Sequence, residues 1–187
     1  MSGLLHEYSE EIVHVTLVFL ILGFVAHGLT LLNSEDFSQQ DVEFMQGMSV
    51  HHDQAIVMSN WAPERTNNSQ VLELAENISD VQGQEHRQME NWLRENNYEV
   101  HSEMSGQMKG MASEQQMQQL NNSTGHEFDM LYLELMIEHH IGGVEMAEKQ
   151  VRQGSNQKLI EMAESMVKIQ EEEISLMREW QNEWNNG

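Results

Sequence analysis

The sequence predicts an all-α protein: a four-helix bundle made of two repeated helical hairpins, preceded by an N-terminal transmembrane helix. Three observations support this prediction. A long apolar segment lies near the N-terminus, a pattern with two adjacent histidines occurs twice, and no stretch alternates with the period of two that is typical of β-strands. Apolar residues beyond the first segment instead recur every three or four positions, as they do in amphipathic helices.

The apolar segment covers residues 12–32 and contains no Asp, Glu, Lys or Arg. Its length is enough to cross a bilayer as one helix. A cleaved signal peptide is the alternative, but the leader is acidic (Glu7, Glu10, Glu11) and no small-residue cleavage site follows. We therefore predict a membrane anchor at residues 1–33, with lipid as its partner, and a bundle domain at residues 34–187.

The histidine pattern repeats at one offset. Residues 48–58, MSVHHDQAIVM, return as residues 136–146, MIEHHIGGVEM, which is a shift of 88 positions (136 − 48). The same shift relates Gln82 to Gln170 and Glu85 to Glu173. A constant register of this kind indicates two copies of one structural unit. We predict repeat one at residues 36–96, a Met-rich crossover at 97–125 and repeat two at 126–184.

Helix ends follow from capping residues and helix breakers. Ser34 is the expected cap of a first helix that Pro63 ends near residue 61, and a second helix covers about residues 69–96. Ser113 caps a short helix, a long helix runs from about residue 124 to Gly154, and Ser155 caps the last one. The two hairpins cannot bury their apolar stripes alone, so we expect them to pack against each other.

Composition limits the function. Nine basic residues face 31 acidic ones, for a formal net charge of −22. Without a basic surface to neutralise phosphates, a nucleic-acid partner is excluded, whereas cations or a salt-rich cell suit the charge. There is no Cys, which excludes disulfides and thiolate metal sites.

Polar residues occupy the stripes that should face the core. His51 and His139 fall on the inner faces of their helices, with His52 just beside the first, and Glu85 and Glu173 fall on those of the partner helices. Buried carboxylates need partners, so we expect a layer in which His and Glu meet. Three interpretations remain open: a hydrogen-bond network that fixes helix register, a metal site, or a bundle that responds to pH through its histidines.

The doubled pattern M-x-x-H-H-x-x-A-x-x-M, followed by Q-x-x-E-x-x-x-M-x-x-W, resembles the domain of unknown function 305 family, over about residues 36–184. The resemblance implies a ferritin-like fold and an exported or membrane-tethered protein, and some members are periplasmic copper-binding proteins. It places the metal-binding motif at His51, His52, Met48, Met58, His139, His140, Met136 and Met146. Hydrogen bonds to the imidazoles from residues that do not themselves touch the metal should fix the orientation of the rings. The residues expected in this role are Gln82, Glu85, Gln170 and Glu173. Gly142 and Gly143 depart from the first copy's Gln54 and Ala55, and we expect them to loosen the second helix.

Thioethers together with imidazoles favour Cu(I), so a copper ion is the expected ligand. A second cluster in the crossover, His101, Met104, Met108 and Met111, is a possible second metal site. A di-iron centre is not expected, because the only Glu-x-x-His runs from Glu11 to His14. We predict a membrane-tethered copper-binding or copper-resistance protein that is not an enzyme, with its bundle outside the cytoplasm. A homo-oligomer remains open, as does a structural or protein-interaction bundle without metal.

Overall fold

The structure is a computed structural model that describes residues 36–100 and 108–186. These residues form five α-helices and no strand: α1 (Gln39–Arg65), α2 (Ser69–Glu95), α3 (Glu114–Asn122), α4 (His126–Gln153) and α5 (Gln157–Asn186). The predicted all-α class is confirmed. The predicted anchor at residues 12–32 lies outside the described residues, so the domain division at residue 33 stays a prediction. None of the helices in the described part of the chain has the length and hydropathy required for a bilayer crossing.

Helix α1 begins four residues later than predicted, because Ser38 rather than Ser34 is its cap. The Ser38 hydroxyl accepts a hydrogen bond from the backbone N–H of Asp41, and the Asp41 carboxylate accepts one from the Ser38 N–H. This reciprocal arrangement satisfies two backbone donors at once. The prediction that Pro63 ends α1 is also wrong. Pro63 is exposed in the last turn, where its ring removes one backbone hydrogen bond without interrupting the core, and α1 continues to Arg65.

The cap of α5 also differs from the prediction. The Asn156 side-chain oxygen accepts a hydrogen bond from the backbone N–H of Leu159, as a helix-capping residue does. Ser155 instead donates its hydroxyl to Asp41 at 2.6 Å. Ser113 does cap α3, as predicted, and Gly125 precedes α4.

The four long helices form two hairpins, α1 with α2 and α4 with α5, that pack together along α1 and α4. Helices α2 and α5 approach each other across a narrow cleft. Hydrogen bonds near the helix ends join the two hairpins, and each repeat contributes an equivalent aspartate. Asp41 at the start of α1 binds the α4–α5 turn at Ser155, and Asp129 at the start of α4 binds Asn68 in the α1–α2 turn.

Two apolar clusters fill the bundle, one towards each end. The first contains Met58, Leu74, Phe128, Leu133 and Met177 among others. The second contains Phe44, Met48, Met89, Leu159 and Met166 among others. In every long helix, the residues that lie between these clusters in sequence are the repeated polar ones. The bundle therefore has a polar layer at mid-height, formed by His51, His52, Gln82, Glu85, His139, His140, Gln170 and Glu173.

Candidate metal site

The four repeated histidines are all buried in the polar layer, with at most 1% of each side chain exposed. Helix α1 contributes His51 and His52, and α4 contributes His139 and His140. The rings of His51 and His139 lie against each other with their centroids 3.7 Å apart and their planes tilted by 30°. His139 Nε2 lies 2.9 Å from the His51 carbonyl oxygen. Packing of α1 against α4 thus brings the two histidine pairs together, which was the central expectation from the repeat.

The expected meeting of His and Glu is present, but it involves the second histidine of each pair. His52 Nε2 lies 2.9 Å from Glu85 Oε2, and His140 Nε2 lies 2.7 Å from Glu173 Oε2. Each contact joins the two helices of one hairpin. A carboxylate that accepts from Nε2 fixes the ring's orientation and places the ring's other nitrogen, Nδ1, in the acceptor state that binds metals.

Five imidazole nitrogens in this layer make no hydrogen bond to a described residue. They are both ring nitrogens of His51 and the Nδ1 atoms of His52, His139 and His140. The backbone of Lys109 lies in a hydrogen-bonding position to His51, but the contact has poor hydrogen-bond geometry. Buried polar atoms without partners are uncommon in native proteins, and such an accumulation fits a ligand-binding site. Nitrogen donors of this type suit copper, zinc or nickel.

Burial keeps the His51 and His139 rings in the neutral, ligand-competent form. Burial, with contributions from the nearby His52 and His140, lowers the pKa of His51 to about 3, and the Lys109 backbone opposes part of this shift. Burial likewise lowers the pKa of His139 well below its usual value, with contributions from His51 and His140. Charging either imidazole would place a cation in a dry layer beside other histidines.

The described residues contain no group of three or more His, Cys, Asp or Glu side chains that is already arranged to hold a metal ion. A complete site would therefore need donors of another type. Thioethers are present: Met48, Met58 and Met136 are fully buried, and Met146 is half-buried. Met48 and His52 are four residues apart on a continuous helix, as are Met136 and His140, so each pair shares a helix face.

The glutamines predicted to orient the imidazoles make no hydrogen bond to them. Gln82 and Gln170 are buried in the same layer, but no hydrogen bond joins either amide to a histidine. Of the four residues predicted to orient the imidazoles, the structure places the two glutamates within hydrogen-bond distance of a histidine. His86, which has no counterpart in the second repeat, lies outside the layer and contacts Asp53 at 2.8 Å and Glu90 at 3.2 Å.

The crossover packs directly on the histidine helices, a contact that the sequence analysis did not predict. The Gln54 side chain in α1 makes two hydrogen bonds to the backbone of Ala112. Its Nε2 donates to the Ala112 carbonyl oxygen at 2.9 Å, and its Oε1 accepts from the Ala112 N–H at 2.7 Å. On α4, a Cβ on Gly142 would lie only 2.0 Å from the Lys109 carbonyl oxygen. Residues 108–112 therefore lie against both helices next to the histidines.

These contacts correct the expectation that Gly142 and Gly143 loosen α4. The helix is continuous through both glycines. Gly142 admits the crossover backbone, and Gly143 admits Gln170, whose Oε1 would lie 2.4 Å from a Cβ at that position. The difference between Gln54 and Gly142 was visible in the sequence and was the one available signal for this packing.

The second predicted cluster is only partly described. Met108 and Met111 are half-buried and flank the Lys109–Gly110 backbone that packs on α4. His101 and Met104 lie outside the described residues. Convergence of all four side chains on one metal ion stays a prediction.

Solved structures of related proteins share this fold. A candidate secreted DUF305 protein from Streptomyces coelicolor is 35% identical, with a TM-score of 0.74, and the match covers 77% of this chain and 93% of that one. A DUF305 fragment from Deinococcus radiodurans is 29% identical, with a TM-score of 0.73 and coverages of 79% and 98%. CopM in its Cu(I)-bound form is 24% identical, with a TM-score of 0.68 and coverages of 77% and 96%.

No curated protein matches the chain. Residues 41–181, which contain both histidine pairs and both glutamates, match the family described as Domain of unknown function (DUF305). The match covers about three quarters of the sequence, so the chain belongs to the DUF305 family.

Proposed function

We propose that this protein is a membrane-tethered copper-binding protein that buffers Cu(I), or hands it on, outside the cytoplasm. The observation that carries the proposal is the set of five buried imidazole nitrogens without partners where α1 meets α4. Four of these nitrogens can act as metal ligands at once, because a neutral His51 ring keeps one N–H. Burial lowers the pKa of His51 and His139, and contacts with Glu85 and Glu173 leave Nδ1 as the free nitrogen of His52 and His140. We propose binding and not catalysis, since the residues suggest no di-iron centre and no nucleophile.

The choice of copper rests on the donor types. Imidazole nitrogen binds several late transition metals, but thioether sulfur selects Cu(I). Met48 and Met136 provide thioethers one helical turn from His52 and His140. CopM, which shares the fold, has been solved with Cu(I), Cu(II) and silver bound, which supports copper as the cargo.

The location rests on two further points. Residues 12–32 form an uncharged apolar segment long enough to anchor the chain in a bilayer. The related Streptomyces coelicolor protein is described as a candidate secreted protein, which favours a bundle outside the cytoplasm. We propose that Met108 and Met111, with His101 and Met104, form an accessory site through which copper approaches the buried histidines.

Competition titration of the full chain with Cu(I) and a chromophoric Cu(I) chelator tests the copper proposal. Loss of a residue that hydrogen-bonds a metal ligand typically weakens metal affinity by roughly 10–100-fold. We expect a His52→Ala, His140→Ala double variant, which loses two ligands themselves, to weaken Cu(I) binding by more than this. His86→Ala with His126→Ala is the matched control, since it removes two imidazoles outside the layer. Equal Cu(I) affinity of the site variant and the wild type would contradict the proposal.

A spectroscopic measurement covers the case in which the site variant does not fold. X-ray absorption at the copper edge of the loaded wild-type chain should show both imidazole nitrogen and sulfur around the metal. A spectrum with oxygen neighbours only would place copper on surface carboxylates and overturn the assignment.

A structural or protein-interaction bundle without metal is the second candidate. The His52–Glu85 and His140–Glu173 contacts, and the contact from His139 to the His51 carbonyl, are the type of interaction that fixes helix register. This function predicts protein purified without bound metal and a melting temperature that a chelator does not change. Bound metal, or a lower melting temperature in chelator, would instead support the copper proposal.

A further inference from the structure

A short segment of the crossover, residues 108–112, lies over the histidine layer where α1 meets α4, and we call it the strap. It contains a turn that a 3.3 Å backbone hydrogen bond closes between its first and fourth residues. Gly110 has a φ of +82°, as the third residue of a type II turn requires. The Lys109 backbone in this turn contacts Gly142 of α4 and lies in a hydrogen-bonding position to the His51 ring.

The strap is held to the two histidine helices at three points. On α1, the Gln54 side chain binds both backbone polar groups of Ala112. On α4, Gly142 leaves room for the Lys109 carbonyl, and the Lys109 side chain pairs with Glu145 in an exposed contact. An exposed ion pair of this kind adds little stability. The Gln54 hydrogen bonds and the close approach at Gly142 are therefore the contacts that keep the strap in place.

The strap is far less buried than the helices beneath it. Each of its five residues is half-buried or exposed, whereas α1 and α4 each bury a stripe of side chains along their length. A segment with few buried apolar contacts opens locally at a lower free-energy cost than the whole fold unfolds. The strap can therefore detach from α1 and α4 while the four-helix bundle stays folded.

Detachment of the strap would uncover the histidine layer on the α1–α4 side. The His51 ring beneath the strap is fully buried when the strap is in place. On the α2–α5 side, the glutamines and glutamates of the layer line a cleft with a volume of about 10 Å³. Such a volume holds roughly one water molecule, so a hydrated ion cannot pass through the cleft. The strap therefore covers the wider approach to the histidines.

We propose that the strap is a cover that opens to let metal ions enter and leave the histidine layer, and that Gln54 and Gly142 set how often it opens. The passage of metal rests on the proposed copper site, whereas the opening itself does not. A cover changes the frequency of opening and not the bound state, so loosening it raises the rates of binding and release by the same factor and leaves the Kd unchanged. Loss of a group that bound copper would change the Kd instead.

Chemical labelling of histidine in the metal-free full chain tests the opening. Diethyl pyrocarbonate acylates neutral imidazole nitrogens that it can reach, and peptide mass spectrometry locates the modified residue. We expect Gln54→Ala, which removes both hydrogen bonds to Ala112, to speed the labelling of His51 by roughly tenfold. Gln46→Ala is the matched control, because Gln46 is also in α1 and donates to a crossover carbonyl outside the strap, that of Glu99. This control should be labelled at the wild-type rate.

Transfer of Cu(I) from the loaded full chain to a chromophoric chelator tests the passage of metal. The rate is measured at chelator concentrations where it no longer rises, so that release from the protein is observed. We expect Gln54→Ala to release Cu(I) roughly tenfold faster with the Kd of the wild type. Gly142→Ala, whose methyl group displaces the strap from α4, should act in the same direction, and Gly83→Ala should not.

Three results overturn the proposal. The first is labelling of His51 at the wild-type rate in both Gln54→Ala and Gly142→Ala, and the second is faster labelling with unchanged Cu(I) release. The third is a Kd that rises in proportion to the release rate, which would make the strap part of the binding site instead of its cover.

Two further measurements separate the possible failures. A wild-type chain that binds no Cu(I) refutes the copper site and the passage of metal, while the labelling still decides whether the strap opens. Hydrogen exchange of the wild type covers the case in which a variant does not fold. The Ala112 N–H should exchange faster than the core amides of α1, and equal rates would overturn separate opening of the strap.

Discussion

Asp41 and Asp129 occupy equivalent positions in the two repeats, but their surroundings differ. The Asp41 carboxylate accepts hydrogen bonds from Ser38, Gln150, Ser155 and the backbone of Asn156. Burial raises the pKa of Asp41, but these hydrogen bonds outweigh that effect and lower it to about 2. Asp129 accepts a side-chain hydrogen bond from Asn68 only, and its Oδ1 has no partner among the described residues.

We therefore expect Asp41→Ala to destabilise the bundle by about 2–4 kcal/mol and Asp129→Ala by about 1 kcal/mol. The first change leaves the donors of the α4–α5 turn without an acceptor. Urea unfolding of both variants measures the difference. Equal losses of unfolding free energy would show that the extra hydrogen bonds of Asp41 contribute nothing.

The contribution of Asp41 to the unfolding free energy decreases in acid. The folded pKa of Asp41 is below the unfolded value of 3.8, so its contribution is present above pH 3.8 and is lost as the pH falls towards 2. The difference in stability between wild type and Asp41→Ala should shrink over that interval. A difference that is constant from pH 5 to pH 2 would contradict the assignment.

His51 and His139 have lowered pKa values, and this gives the metal-free protein a second pH dependence. The unfolded chain binds more protons than the folded one between the folded value of about 3 for His51 and the unfolded value of 6.5. Stability therefore rises with pH in this interval and falls as the pH drops below 6.5. The groups that face these rings are His52 and His140, which Glu85 and Glu173 contact in turn.

We expect the unfolding free energy of the metal-free protein to fall by roughly 2 kcal/mol between pH 7 and pH 5 because of His51, and His139 should contribute a loss of the same sign. The measurement is the unfolding free energy at both pH values, compared with that of a His51→Leu, His139→Leu variant. The comparison removes the contribution of the many surface carboxylates, which both proteins share. The same pH dependence in both proteins would show that these rings do not titrate as proposed.

At the scale of the helices, glycine positions decide how closely the elements approach. Gly142 in α4 lies against the Lys109 carbonyl, whereas Gly83 in α2 faces only the end of the Arg87 side chain, 3.3 Å from where a Cβ would be. Gly110, on the crossover side of the contact, has a φ of +82° that suits glycine. The crossover backbone can therefore lie directly on α4 at Gly142, where a larger residue would prevent this contact.

We expect Gly142→Ala to destabilise the protein by about 1–3 kcal/mol, because the methyl group forces Lys109 away from α4. Gly83→Ala is the control: it should stabilise by up to about 1 kcal/mol, because alanine favours the helix and the arginine can move. Chemical unfolding gives both values, and hydrogen exchange at residues 108–112 should increase in the first variant alone. A stabilised Gly142→Ala variant would show that the crossover contact is dispensable.

At the scale of the whole molecule, the two hairpins depend on each other. The histidine layer needs one helix from each hairpin, and each turn between helices is bound by an aspartate of the other repeat. An isolated hairpin would expose its apolar stripe and its buried polar groups to water. Stability of such repeat units comes from the interface between neighbours.

We expect peptides of residues 36–96 and 126–186 to show little helix alone and to regain helix when mixed in equal amounts. Circular dichroism of each peptide and of the mixture measures this. Two copies of one peptide can imitate the native pair, so size measurement of each single-peptide sample is the control. Full helicity of a monomeric hairpin would contradict the mutual dependence.

Several features follow from the sequence alone, because they depend on periodicity and local chemistry. The constant shift of 88 residues determined the two hairpins, and the three-to-four spacing of apolar residues determined their helices. The position of histidine and glutamate within those stripes predicted the buried polar layer. Burial of a charged side chain requires a partner, so the two types of residue had to meet.

Other features were decided by the tertiary structure, because they depend on contacts between residues far apart in the chain. Only packing showed that His52 and His140 contact the glutamates, whereas His51 and His139 contact each other. The roles of Gly142 and Gly143 likewise depend on what faces each position across the bundle. Sequence spacing specifies which face of a helix a residue occupies, but the partner on that face is set by how the helices pack.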